Sequence, residues 1–145
     1  MKADSAVERI MQREFASVRS DERLDFVDDV MALGRVRHMP VVDDGKLVGV
    51  VSQRDLLAAS LSRVLEFDAQ ERRTFLRSID VREVMAGRPI TVAPTATLAE
   101  AAALLLRHKI GCVPVVGPGG EALGLVTETD LLRAAYTEDD RAVRA

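Results

Sequence analysis

The chain has 145 residues, 48% hydrophobic and 30% charged, with a formal charge of −3. That balance describes a foldable chain with no cationic field for gripping nucleic acid or an acidic membrane. One cysteine, Cys112, excludes an internal disulfide and a cysteine-cluster zinc site, and 3% aromatics without tryptophan leave no stacking platform for single strands. No apolar stretch approaches the roughly 20 residues of a membrane span. The first ten residues mix Lys2, Asp4, Glu8 and Arg9 with small side chains and hold no apolar signal core, so the expected address is the cytoplasm.

In chain order, residues 15–18 form the first short β-prone run. Residues 24–33 place Leu24, Val27, Val30 and Met31 on one helical face, with Asp25, Asp28 and Asp29 on the other. Arg23 stands where a cap belongs and cannot accept an amide, so Ser20 or Asp21 is expected to cap instead. The run from Val41 to Val48 is a hairpin signal, with Asp44-Gly45 supplying the positive φ angles of a tight turn. A helix is expected from about Arg54. Residues 56–67 and 68–77 look helical, and Asp68 and Glu71 have cap-box spacing for the second stretch. Leu61, Val64, Leu65, Phe75 and Leu76 make this connection apolar enough to pack on the body, and no flexible linker is expected.

Residues 90–92 are again short and β-prone. Leu98, Ala101, Ala102 and Leu105 share a helical face that opens on a Thr97–Glu100 capping box. Gly117-Pro118-Gly119-Gly120 serves as a longer turn. It lacks the Lys-Ser/Thr ending of a phosphate-binding loop. A last helix is expected from about Thr129. The acidic runs Asp28-Asp29 and Glu138-Asp139-Asp140 read as solvated faces.

These elements repeat. Met11 and Met85 lie 74 positions apart, as do Pro40 and Pro114. The contexts match as well: Val7-Glu8-Arg9-Ile10-Met11 with Val81-Arg82-Glu83-Val84-Met85, and Pro40-Val41-Val42 with Pro114-Val115-Val116. Past the turn the offset is 75, pairing Gly49 with Gly124, Ser52 with Thr127, and Asp55-Leu56-Leu57 with Asp130-Leu131-Leu132. The extra residue falls in a turn, where insertions are tolerated. The repeats span residues 1–67 and 79–145, joined by a helical connection at 68–78. Each reads strand, helix, strand, strand, helix.

In this order and this number, the motifs resemble a tandem pair of cystathionine-β-synthase (CBS) domains, a Bateman module, over nearly the whole chain. The resemblance implies an α/β fold in which two β-α-β-β-α repeats pack through their sheets about a pseudo-twofold axis. It implies two clefts that take adenosine-containing ligands, such as AMP, ADP, ATP or S-adenosylmethionine. Homodimers of such modules form flat discs. The family senses and regulates rather than catalyses. The expected function is therefore a stand-alone regulatory module signalling to a protein partner in trans, with no required cofactor. The alternative is a ligand-free oligomerisation or protein-interaction module. Its surfaces would be residues 131–145 and the helix holding Leu61 and Leu65.

The sharpest site signal is Ser52-x-x-Asp55 and Thr127-x-x-Asp130, each after a strand and opening a helix. A carboxylate there can accept bonds from both hydroxyls of a ribose, and Ser52 or Thr127 can reach ribose or phosphate. The resemblance makes Asp55 and Asp130 the ribose ligands. The same spacing also makes a capping box that needs no ligand, and both roles can coexist. Ahead of each proline, Val36 and Met39 beside Pro40, and Ile110 and Val113 beside Pro114, are candidates to sandwich adenine. The resemblance also offers Ser17-Val18 and Thr91-Val92 as backbone groups for adenine. Arg37 and His38 hold the family's phosphate-reaching places in the first repeat. Gly111 and Cys112 hold them in the second and carry no charge. Arg54 faces Thr129 in the repeat register and adds to that asymmetry. The alternative for Arg37 and His38 is a solvated patch, with Met39 in the core. His38, His108 and Cys112 match no metal pattern. Cys112 reads as a buried small hydrophobe, and no catalytic constellation stands out.

Overall fold

A computed structural model describes residues 1–60 and 68–137. It is an α/β chain in two compact units: Ala16–Pro89, and Met1–Phe15 together with the chain from Ile90 onward. Packing therefore divides the chain at different points from the repeat. Each repeat's opening segment folds with the body of the other. Among the described residues, no helix is long and apolar enough to cross a membrane.

The unit Ala16–Pro89 begins its regular structure with α1 (Leu24–Gly34), β1 (His38–Asp43), β2 (Lys46–Ser52) and α2 (Gln53–Ser60). It continues with α3 (Ala69–Arg77), a 3₁₀ turn (Val81–Glu83) and β3 (Ala86–Gly87). The sheet order is β1-β2-β3, antiparallel throughout. Asp44 and Gly45 both take positive φ (52° and 78°), the tight hairpin turn their identities suggest. On α1, Leu24, Val27 and Met31 are buried, as their spacing dictates. They pack with Met39, Val41, Val51 and Leu56.

Two local expectations need correction. Neither Ser20 nor Asp21 caps α1. The Ser20 amide and hydroxyl instead donate to the Asp43 carboxylate (3.0 and 2.6 Å), and Asp21 pairs with Arg19 at 2.7 Å. Arg23 is the N-cap, and its side chain pairs with Asp80 rather than capping the helix. The Leu24 amide donates to the Ile79 carbonyl (3.0 Å), so backbone from the end of this unit does what a cap side chain would do. Nor are Asp28 and Asp29 simply solvated. Asp28 pairs with Arg72 at 2.8 Å and Asp29 with Arg73 at 2.9 Å, which ties α1 to α3. Asp68 caps α3 by accepting the Glu71 amide. Leu76 is fully buried and Phe75 partly so, whereas Leu61, Val64 and Leu65 lie outside the described residues.

The other unit holds a 3₁₀ turn (Val7–Arg9), α4 (Leu98–His108), β4 (Cys112–Val116), β5 (Ala122–Thr127) and α5 (Glu128–Tyr136). The Thr97–Glu100 capping box is present on α4, whose buried residues are Leu98, Ala101 and Leu105. β4 pairs antiparallel with β5, and Gln12 adds an antiparallel bridge to Leu125, as β3 does to β2. The run Glu138-Asp139-Asp140 lies outside the described residues.

In both units the first expected strand shrinks to one parallel bridge, Val18 to Val41 and Val92 to Val115. Its growth is blocked at a nearby residue. Ser20 turns to Asp43 in one unit, and Pro94 has no amide to continue the ladder in the other. Each unit also carries a glycine beneath a methionine. A Cβ on Gly49 would lie 2.6 Å from the Met85 sulfur, and one on Gly124 would lie 2.5 Å from the Met11 sulfur. The repeated glycine is thus the seat of the repeated methionine, each supplied by the other repeat's opening.

Candidate functional site

In the unit Ala16–Pro89, β2 runs directly into α2 at Ser52-Gln53. The Ser52 amide donates to the Asp55 carboxylate (2.7 Å), and the Asp55 amide donates to the Ser52 hydroxyl (3.1 Å). This reciprocal box satisfies two amides that the helix start would otherwise leave open. One Asp55 oxygen, Oδ1, has no hydrogen-bond partner among the described residues. The Gln53 amide donates to the Arg37 carbonyl (2.8 Å), and His38 pairs opposite Ser52 in the β1–β2 register. Four candidate residues distant in sequence, Arg37, His38, Ser52 and Asp55, thereby meet at one strand–helix junction. Arg54 lies on the first turn of α2. Arg37 and Arg54 are exposed, while His38, Ser52 and Asp55 are half-buried.

The other unit repeats the frame with different chemistry. The Glu128 amide donates to the Gly111 carbonyl (3.2 Å), and Cys112 pairs opposite Thr127. The Thr127 amide and hydroxyl both donate to Asp130 Oδ2 (2.8 and 2.9 Å), and the Asp130 amide donates back to the hydroxyl (3.2 Å). Glycine and a buried cysteine stand where the first junction has arginine and histidine. Burial pushes the Cys112 thiol up to about 12, so it carries no charge at neutral pH. One contact had no signal in the sequence. Gln12 donates its side-chain amide to both Asp130 oxygens, at 3.2 and 3.0 Å. The repeat-equivalent of Gln12 is Ala86, which has no amide to give.

The adenine candidates separate by burial. Met39 and Val113 are fully buried in the cores of their own units, and Pro40 and Pro114 are buried too. This is the core role that the sequence left open for Met39. Val36 and Ile110 are half-buried at matching posts. Each follows a left-handed residue (Arg35, Lys109) and donates its amide back to the preceding helix, a Schellman-type ending. The Val18 amide and carbonyl are both taken, by Pro40 and Val42, and those of Val92 by Pro114 and Val116. Backbone groups at these short segments therefore remain at Ser17, which is exposed, and at Thr91, which is half-buried.

Comparison with known proteins adds the lineage. A CBS domain-containing protein of Dictyostelium discoideum is 32% identical over 127 residues, covering 87% of this chain and 88% of that protein. An inosine-5'-monophosphate dehydrogenase of Korarchaeum cryptofilum is 31% identical over 130 residues, which are 90% of this chain but only 24% of the enzyme. The crystal structure of CBSX2 in complex with AMP superposes with a TM-score of 0.77 at 28% identity, covering 97% of this chain and 99% of that one; CBSX2 is from Arabidopsis thaliana. The CBS domain model itself matches twice, at residues 7–62 and 81–137. With both copies of the motif matched and both strand–helix junctions formed, this chain belongs to the CBS domain family.

Proposed function

We propose that the chain is a regulatory module that binds an adenosine nucleotide of the AMP type, with its ribose on the Asp55 carboxylate. The observation that carries this reading is the junction of β2 and α2. It gathers a carboxylate with an open oxygen, a hydroxyl, and the basic side chains of Arg37, His38 and Arg54 in one unit. A carboxylate suits a cis-diol, and the basic side chains and helix start suit a phosphate. The AMP bound to CBSX2 supports the choice of ligand class. In this reading Ser17 and Val36 border the base, and Asp130 with Thr127 forms the second, less cationic position. The matched segment is a fraction of the dehydrogenase's length, and the module regulates rather than catalyses. Its output passes to a protein partner in trans.

A thermal-shift panel of AMP, ADP, ATP and S-adenosylmethionine tests this. At ligand about 100-fold above its Kd, stabilisation of about 2.7 kcal/mol is expected. Asp55→Ala should remove most of the response. If no compound stabilises the protein, the reading is wrong.

A second reading is favoured by apolar side chains left open on helices. Leu33 on α1 is 88% exposed and Leu106 on α4 is 80% exposed. Such surfaces suit association with a second copy of the chain. Light scattering should then report a dimer, and Leu33→Glu with Leu106→Glu should return it to a monomer.

A further inference from the structure

The two carboxylates that the repeat makes equivalent are not equally available. Asp55 keeps one oxygen without a partner among the described residues. Asp130 spends both oxygens on the chain itself: Oδ2 receives the Thr127 amide and hydroxyl, and the Gln12 carboxamide reaches both Oδ1 and Oδ2. A carboxamide nitrogen carries two N–H donors. These diverge too widely to serve one oxygen each, so a single N–H is shared between Oδ1 and Oδ2, and the carboxamide occupies the edge of the carboxylate that a cis-diol would approach. Gln12 is held in place for this by its backbone. Its amide donates to the Leu125 carbonyl (2.9 Å), and its carbonyl accepts from the Leu125 amide (3.0 Å), on the strand that leads to Thr127.

We infer that Gln12 is a built-in competitor for the diol-binding carboxylate of Asp130, so that the two nucleotide positions fill unequally and Asp55 fills first. The inference rests on the adenosine-nucleotide reading above. It adds a residue that decides selectivity between the two positions. A diol arriving at Asp130 must displace donors already bonded to a charged acceptor, while a diol arriving at Asp55 meets an open oxygen. The placement of basic side chains points the same way, because Arg37, His38 and Arg54 belong to the Asp55 junction and have Gly111, Cys112 and Thr129 as counterparts at Asp130. Loss of hydrogen bonds to a charged group corresponds to about tenfold or more in affinity.

Isothermal titration of the full chain with AMP tests this. Wild type should bind one AMP per chain in the tight phase, and Asp55→Ala should remove it. Gln12→Ala should add a second site, tightened about tenfold or more relative to the residual weak phase of wild type. Adding Asp130→Ala to Gln12→Ala should take that second site away again. The ladder bonds of Gln12 are backbone bonds, so Gln12→Ala should still fold, with a ligand-free melting temperature lowered only by the loss of the side-chain bonds to Asp130. If wild type binds AMP through Asp55 and Gln12→Ala leaves the isotherm unchanged, the competitor role is overturned and the functional reading stands. A gained site that survives Asp130→Ala also overturns it. If neither wild type nor Gln12→Ala binds AMP, the functional reading itself falls.

Discussion

Ser52 and Asp55 hold each other at the start of α2, and the proposed function gives the same pair to a ligand. Ser52→Ala removes an acceptor from the helix start and should cost about 1 kcal/mol in denaturant unfolding with no ligand present. A loss well below that would show that the hydroxyl does not cap. Asp43 carries a second residue-level prediction. Bonds from the Ser20 hydroxyl, then from the Ser20 amide, hold its carboxyl below the ordinary value. A lowered folded-state value means stability that is present above the ordinary carboxylate range of about 4 and is lost as pH falls through the lowered value. Asp43→Asn should therefore flatten the acid side of a melting-temperature profile between about pH 5 and 2.5. Cys112, raised by burial, should resist a thiol-labelling reagent at neutral pH and react once the chain is unfolded. Its burial was readable in the apolar run around it. The role of Gln12 was not, because its partner lies 118 residues away and its repeat-equivalent is an alanine.

Helices and hairpins were legible where a local rule governs them. The faces of α1 and α4, the Asp44-Gly45 turn and the Thr97 and Asp68 caps each follow from residues within a few positions of one another. The start of α1 was not legible, for its first amide is satisfied by Ile79, far along the chain. The acidic face of α1 misled for the same reason, since Arg72 and Arg73 arrive from α3. At this scale the informative position is glycine beneath methionine. Gly49→Ala would place a Cβ 2.6 Å from the Met85 sulfur and 2.9 Å from the Ala86 carbonyl. Backbone there cannot step aside, so a loss of about 1–3 kcal/mol is expected, with Gly124→Ala behaving alike. Calorimetry on both variants checks this, and a neutral result would mean that the β2–β3 seat is looser than its distances imply.

Across the molecule, the repeat was plain in the sequence while the exchange of opening segments was not. Sequence similarity records which stretches are copies, and it carries no record of which copy packs on which. Val7 is fully buried among Val113, Val115 and Val126, although more than a hundred residues separate it from the nearest of them. Val7→Ala should cost about 2 kcal/mol. Amide hydrogen exchange should then quicken on β4 and β5 more than on β1 and β2. The opposite pattern would contradict the exchange.

The seat of Met11 on Gly124 and of Met85 on Gly49 also bears on ancestry. A lone copy of the repeat owns a seat and an arm, yet its arm belongs on another copy's seat. Before duplication joined two copies on one chain, closing the fold would have required two separate chains trading arms in reciprocal fashion. On one chain, that encounter between molecules becomes a fixed tether. A shared chain also lets the copies differ, and position 12 carries an amide where position 86 carries a methyl group.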